Sequence, residues 1–98
     1  MKTYKQIGTE IAEKLETYGP YVVENSSSWV YYTSMSGFYQ NEYYAVTVYE
    51  MTDGTKKIEV VWTTHNPNLI GELIKDIAGD EPVEISLKKP VEYFKVVI

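Results

Sequence analysis

The sequence contains no cysteine and no arginine. All nine basic residues among its 98 are lysines. The absence of cysteine excludes disulfides, thiol catalysis and cysteine-ligated zinc. The absence of arginine removes the planar guanidinium group that proteins commonly use to bind phosphate and guanine. We therefore do not expect the protein to bind nucleic acid directly.

Long apolar runs are missing as well. If tyrosine is not counted, the longest runs, such as Val60–Trp62, have three residues, so no segment is predicted to cross a bilayer. The first residues lead into an amphipathic pattern and do not show the apolar stretch and cleavage site of a signal peptide. These features predict a cytoplasmic protein that makes no membrane contact.

The length and composition predict one globular domain over residues 1–98. Hydrophobic residues make up 44% of the chain, charged residues make up 23%, and the net charge is −5. A chain of this size buries roughly 60% of the surface that its unfolded form exposes, which is enough for a single core. The chain also has ten tyrosines, two tryptophans and two phenylalanines. The directions in which these aromatic side chains point therefore bear strongly on function.

Two segments have apolar residues at the three- and four-residue spacing of an amphipathic helix. The first is predicted to run from Thr3 to Tyr18, where Gly19-Pro20 closes it. The second is predicted to begin at Asn66-Pro67, because asparagine is a good N-cap and proline fits the first helical position. Gly79 is the predicted C-terminal cap of this second helix.

The remaining patterns, rich in aromatic and β-branched residues, predict five to six strands. The predicted strands are residues 21–24, 29–35, 43–51, 56–64, 83–88 and 91–97. The resulting order, α-β-β-β-β-α-β-β, lacks the repeated alternation that a parallel sheet requires. The predicted fold is therefore of the α+β class, with a mainly antiparallel sheet and both helices on one of its faces.

Asp53-Gly54 gives the strongest turn signal in the chain. Read as a two-residue type I′ turn, it pairs Ala45 with Trp62 and places the odd-numbered residues of strand 43–51 toward the core. The even-numbered residues of that strand are then predicted to lie on the other, exposed face.

Eight of the 21 residues from 29 to 49 are aromatic. Neighbouring residues of a strand point to opposite faces, so Tyr31 and Tyr32 cannot both face the helices, and neither can Tyr43 and Tyr44. An exposed apolar and aromatic patch is typical of a protein interface. The predicted partner-binding residues, on this sheet face and in the connection at 36–42, are Tyr31, Tyr32, Phe38, Tyr39, Tyr43, Tyr44, Val46, Val48 and Val61.

These patterns favour a non-enzymatic protein-binding module that acts through this sheet face and the adjoining loop. Its partner would be another protein or a second copy of itself. An alternative is a small acidic inhibitor of the kind that viruses use to block a host nuclease or defence complex, for example by nucleic-acid mimicry. Its acidic surface would comprise Glu10, Glu13 and Glu16 on one side of the first helix, although such charges also fit an ordinary solvated helix face.

A further alternative is a small hydrolase or ligand-binding domain that uses His65, the only histidine. His65 lies between a predicted strand and a predicted helix, next to Thr63, Thr64 and Asn66. However, no serine–histidine–acid or paired-carboxylate spacing accompanies it, so an exposed turn histidine is the expected role. Metal-ligand spacing and a glycine-rich phosphate loop are also missing, so we expect neither a metal nor a cofactor.

Overall fold

A computed structural model describes residues 2–62 and 68–88, with only the backbone described at Trp62. Within these ranges the order is α-β-β-β-β-α-β, with a five-stranded, mostly antiparallel sheet, which confirms the predicted α+β class. The elements are α1 Tyr4–Lys14, β1 Tyr21–Glu24, β2 Trp29–Tyr39, β3 Glu42–Met51, β4 Lys56–Trp62, α2 Asn68–Ala78 and β5 Ile85–Lys88. The predicted last strand and the predicted start of the second helix lie outside the described residues.

The strands follow one another across the sheet in chain order, from β1 to β5. The first four are joined as antiparallel neighbours. The fifth runs parallel to β4, and Ile58 of β4 pairs with Ile85 of β5. Parallel neighbours need a crossover connection, and α2 supplies it between these two strands.

The core lies between the two helices and one face of the sheet. Helices and strands contribute to a single cluster of buried side chains, so the prediction that both helices pack on one face is confirmed. Its most completely buried apolar members are Ile7, Ile11, Tyr44, Val46, Val48, Ile58, Val60, Ile70 and Ile74.

Helix α1 ends earlier than the pattern predicted. Leu15 is its C-cap, and Glu16 adopts a left-handed conformation with φ of 53°. The amide of Thr17 donates to the carbonyl of Ala12 at 2.9 Å. This arrangement is a Schellman motif built on a residue other than glycine, and it stops the helix before Tyr18.

The turn between β3 and β4 is not the predicted type I′ turn. The amide of Gly54 donates to Met51 at 3.0 Å, and the amide of Met51 donates to Thr55 at 2.7 Å. Gly54 has a positive φ of 96°, whereas Asp53 does not. These contacts define a type I turn followed by a left-handed glycine, which adds one residue to the loop.

That extra residue reverses the predicted faces of β3. Ala45 pairs with Val61 rather than with Trp62, and Val46 pairs with Val60. Because side chains alternate between faces, a shift of one residue exchanges the two sides of the strand. The even-numbered residues of β3 therefore face the helices, so the predicted odd-numbered core side is wrong.

The predicted connection at 36–42 is also too long. Strand β2 continues to Tyr39 and β3 begins at Glu42. Only Gln40 and Asn41 lie between them, with φ of 49° and 67°. Positive φ at both central residues is the requirement of a type I′ turn, so the tight hairpin occurs here and not at Asp53-Gly54.

Two glycines set the distance between α1 and β2. A Cβ atom on Gly37 would overlap the carbonyl oxygen of Leu15. A Cβ atom on Gly8 would lie 3.0 Å from the Tyr31 hydroxyl and 3.1 Å from a methyl carbon of Thr33. These close approaches hold α1 along β2 on the core side of the sheet.

Candidate interaction surface on the open face

The sheet face opposite the helices is the candidate functional surface, and we name it the open face. Among the described residues, both helices contribute to the core on the other face. Residues paired across strands share a face, so the register defines rows of side chains on the open face. One row contains Val23, Tyr32, Tyr49 and Lys57, and the next contains Tyr21, Ser34, Thr47 and Glu59.

Four aromatic side chains cluster toward one end of the open face. We name this cluster the aromatic ridge, and it consists of Tyr21, Trp29, Tyr32 and Tyr49. The ring centroid of Trp29 lies 5.0 Å from that of Tyr32 and 5.4 Å from that of Tyr49. Tyr21 meets Tyr32 edge-on at 6.1 Å. Aromatic pairs at such distances stabilise each other by about 0.5–1.5 kcal/mol, so neighbouring rings restrain one another in the free protein.

A β-bulge brings Trp29 into the aromatic ridge. Trp29 pairs with Met51, whereas Tyr31 pairs with Glu50, so the register shifts between these residues of β2. In a regular strand Trp29 would share a face with Tyr31, which is buried against the helices. The bulge instead places Trp29 beside Tyr32 on the open face.

Short side chains separate the aromatic ridge from the other end of the sheet. We name them the polar saddle, which consists of Ser34, Ser36, Ala45 and Thr47. Ser34 pairs with Thr47, and Ser36 pairs with Ala45. Above part of the saddle is a depression of about 400 Å³, bordered by Pro20, Tyr21 and Tyr43. None of the described residues that line it is charged.

A second aromatic contact lies beyond the polar saddle. Phe38 and Tyr43, which we name the aromatic pair, are cross-strand partners with ring centroids 5.3 Å apart in an edge-to-face arrangement. Phe38 is 63% exposed and Tyr43 is 39% exposed. The Gln40–Asn41 turn joins their strands directly, so the backbone fixes the positions of both rings.

Charged side chains lie on the β4 and β5 side of the open face. Lys57 and Glu59 belong to β4, and Lys88 pairs with Val61. The hydroxyl of Tyr49 donates to Glu59 Oε1 at 3.4 Å. Burial, together with the nearby Glu59 carboxylate, raises the pKa of Tyr49 above its ordinary value. The phenol is therefore a protonated hydrogen-bond donor at neutral pH.

The structure places only part of the predicted binding residues on the open face. Tyr32, Phe38, Tyr43 and Val61 lie there, with their cross-strand partners. Five others lie on the helix side, and the prediction that they form an exposed surface is wrong. These are Tyr31, Tyr44, Val46 and Val48, which are buried, and Tyr39, which packs against the core. The physical reason on β3 is the longer turn after Met51, which reverses the strand's faces.

Three members of the aromatic ridge were missed by the sequence reasoning. The register predicted from Asp53-Gly54 places Tyr49 on the core side of β3, which is wrong for the same reason. The position of Trp29 on the open face depends on the bulge, which no local residue pattern predicts. Tyr21 lies on β1, and its pairing with Ser34 brings it beside the polar saddle. The sequence did indicate that Tyr21 or Val22 lies on the open face, because these adjacent apolar residues of one strand must point to opposite faces.

The predicted acidic surface of α1 is not continuous. Glu10 pairs with Lys2, with 2.8 Å between Lys2 Nζ and Glu10 Oε2. Glu13 is exposed on the helix, but Glu16 lies beyond the helix end in a left-handed conformation. Placing all three on one side of the helix is therefore wrong, because the helix stops at Leu15.

Other site chemistry is sparse in the part of the chain that the structure describes. Within residues 2–62 and 68–88, no three or more histidine and carboxylate side chains come together as a group that could hold a metal ion. His65, Thr63, Thr64 and Asn66 lie outside those ranges. Neither α1 nor α2 is long and apolar enough to span a bilayer.

Comparison with known proteins gives no relative for this chain. No protein-family model, no curated protein and no solved structure matches it. The arrangement of its own residues is therefore the basis for a functional proposal.

Proposed function

We propose that the protein is a non-enzymatic protein-binding module and that its binding surface is the open face. The observation that carries this proposal is the placement of two aromatic groups, the aromatic ridge and the aromatic pair, on the sheet face opposite the helices. Tyr21 and Phe38, one from each group, are 65% and 63% exposed. Exposed aromatic rings on one surface are typical of protein interfaces, and tyrosine and tryptophan contribute strongly to binding energy.

The distribution of charge on the open face also supports this proposal. Lys57, Glu59 and Lys88 lie toward one edge, on β4 and β5, whereas the polar saddle on β2 and β3 contains no charged residue. Protein interfaces commonly have a centre depleted in charge and a polar rim. The open face likewise has an uncharged centre, the polar saddle, and one charged edge, on β4 and β5.

The rigidity of the surface favours binding as well. Its side chains project from paired strands, and aromatic contacts restrain Trp29, Tyr32 and Tyr49. A preformed surface loses less conformational entropy on binding than a flexible loop does. We therefore expect the partner to meet side chains that already hold their bound positions.

Site-specific photo-crosslinking in cells that produce the protein tests this proposal. A photoreactive phenylalanine analogue replaces Tyr43 on the open face, and in a matched variant it replaces Glu13 on the exposed side of α1. Light should convert the Tyr43 variant into covalent adducts with another polypeptide chain, and the Glu13 variant should give few or none. Mass spectrometry then identifies the chain captured at position 43.

Three outcomes contradict the proposal. They are the absence of adducts at position 43, equal adduct yields at both positions, and an adduct formed within a single chain. An analogue at Tyr18, which is 92% exposed and outside the strands, controls for exposure alone. Capture that is as efficient at Tyr18 as at Tyr43 would show that accessibility, not the open face, determines the yield.

A further inference from the structure

We infer that the occupant of the open face is a second copy of the same chain, related by a two-fold axis that runs across the strands through Ser34 and Thr47. This inference rests on the proposed function and specifies its partner. It follows from the sizes of the side chains on β2 and β3, where successive rows are complementary to one another about that axis. At the β1 end of the axis row, Tyr21 meets Tyr21 of the other copy.

On both β2 and β3, the side chain on one side of the axis is large and the side chain on the other side is short. On β2, Tyr32 lies two residues before Ser34 and Ser36 lies two residues after it. On β3, which runs antiparallel to β2, Tyr49 lies two residues after Thr47 and Ala45 lies two residues before it. A two-fold rotation about the axis places each large ring opposite a short side chain of the other copy: Tyr32 opposite Ser36, and Tyr49 opposite Ala45.

In the dimer, the aromatic side chains of the outer rows contact aromatic or apolar side chains of the other copy. Trp29 and Met51 form one outer row, and Phe38 and Tyr43 form the other. The same rotation brings these rows together across the interface, where aromatic rings stack or meet edge-on. Two sheets that pack face to face keep their strands within about 30° of each other, which preserves this row-by-row contact.

The competing two-fold axis runs along the strands and gives a poorer fit. With that axis through β3, Tyr49 of one copy meets Tyr49 of the other, and Ala45 meets Ala45. Large side chains then collide at one end, and a gap remains above the polar saddle. Unfilled space and overpacking both reduce stability, so the axis across the strands is favoured.

The area of the face fits a stable dimer. With strands about 4.8 Å apart and residues about 3.3 Å apart, the open face measures about 20 by 30 Å. Projecting side chains have more accessible surface than the flat area beneath them. The face therefore approaches the surface of about 800 Å² per partner that a standard-sized interface buries.

One charged residue opposes this dimer in a way that can be measured. Glu59 lies in the same row as Thr47, so it comes close to Glu59 of the other copy. Lys57 lies two residues away on the same strand, which limits the repulsion between the two carboxylates. The geometry therefore predicts that Glu59→Gln strengthens dimerisation.

Sedimentation equilibrium of the purified full chain is the first test. The wild type should be a dimer at about 100 μM, a concentration that detects even weak association. Ala45→Tyr places a ring against Tyr49 of the other copy and should weaken dimerisation at least tenfold. Tyr49→Ala should also weaken it. The double variant should recover most of the loss, because the ring introduced at position 45 then faces the methyl group introduced at position 49, whereas two independent effects would simply add.

Cysteine cross-linking is the second test, and the natural absence of cysteine makes it specific. Thr47→Cys lies on the axis, so a bismaleimide reagent that spans about 10 Å, the separation of packed sheets, should join two chains. Glu13→Cys on α1 should give no joined chains. Circular dichroism of each variant shows whether the fold is retained, and only folded variants are compared.

The outcomes separate this inference from the proposed function. A monomeric wild type at about 100 μM overturns the dimer, and capture of a different protein at position 43 would then still support the binding module. A dimer that Ala45→Tyr does not weaken, or that Thr47→Cys does not cross-link, also overturns this axis. A monomer that gives no adduct at position 43 overturns both.

Discussion

Tyr43 and Tyr44 are consecutive residues of β3, and their rings lie on opposite sides of the sheet. Tyr43 is 39% exposed on the open face, whereas Tyr44 is 0% exposed in the core. The sequence predicts that the two rings separate, and that prediction is confirmed. The choice of face depends on the turn after Met51, since one residue more or less would exchange the two rings.

This relationship predicts different costs for two neighbouring substitutions. Tyr44→Ala removes a fully buried ring and should lower the free energy of unfolding by about 3–5 kcal/mol. Tyr43→Ala should cost only about 0.5–1.5 kcal/mol, from loss of its ring contact with Phe38, when measured at low protein concentration, where few dimers form. Urea denaturation followed by circular dichroism gives both values. If Tyr43→Ala were the more costly change, the face assignment of β3 would be wrong.

Gly37 should tolerate no side chain. Gly37→Ala forces a methyl group against the carbonyl oxygen of Leu15, so α1 and β2 must move apart. We expect a loss of about 3 kcal/mol in the free energy of unfolding. Gly71→Ala is the matched control, because within residues 2–62 and 68–88 no atom outside its own helix lies within 4 Å of its Cβ position. Alanine in a helix interior is favoured over glycine by about 1 kcal/mol, so this control should stabilise the protein.

The start of α1 should depend on its capping box. The amide of Gln6 donates to Thr3 Oγ1 at 3.1 Å, and the amide of Thr3 donates to Gln6 Oε1 at 2.7 Å. Thr3→Ala should therefore cost about 1 kcal/mol of stability. Thr9→Ala removes a threonine inside the same helix and should be neutral or stabilising, since alanine is the better helix former. Equal losses from both variants would contradict a capping role.

Stability should fall at alkaline pH. Burial raises the pKa values of Tyr4, Tyr31, Tyr44 and Tyr49 above 10.0, their ordinary value. Protonated groups with raised folded-state pKa values contribute stability that is fully present below about pH 10 and is lost as pH rises through those values. The urea midpoint should therefore hold steady between about pH 7 and 9 and decrease above about pH 10.

Two variants test the origin of this alkaline decrease. Tyr44→Phe should make the decrease shallower, because it removes one buried ionisable phenol. Tyr18→Phe, at a position that is 92% exposed, should leave the decrease unchanged. Identical pH profiles for Tyr44→Phe and the wild type would show that ionisation of Tyr44 does not contribute.

Much of the fold could be predicted from the sequence because local signals agree with the tertiary contacts. Apolar spacing identified both helices, and Gly79 ends α2 with φ of 62°, as its position predicted. The aromatic and β-branched runs identified the strands. Register could not be predicted, because Asp53-Gly54 is compatible with two loops that differ by one residue.

The candidate site was only partly predictable for the same reason. Strand alternation requires an exposed aromatic face, but the faces themselves follow from register and from the bulge at Trp29. The bulge is set by the pairing of Trp29 with Met51, and the pairing of β1 with β2 by the connection at 25–28, and no local residue pattern specifies either. Sequence reasoning thus predicted that such a surface exists, and the tertiary structure determines which rings form it.

The parallel pairing of β4 with β5 has a consequence for the order of folding. Strands β1 to β4 are joined by short connections, so their contacts form between residues close in the chain. Strand β5 can dock only after α2 has crossed the core side, and this longer chain closure carries a larger entropy cost. We therefore expect the four-stranded meander to assemble first and β5 to join last. Amides at Ser86 and Lys88, which donate to β4, should gain protection from hydrogen exchange after those at Val46 and Glu59, which donate within the meander.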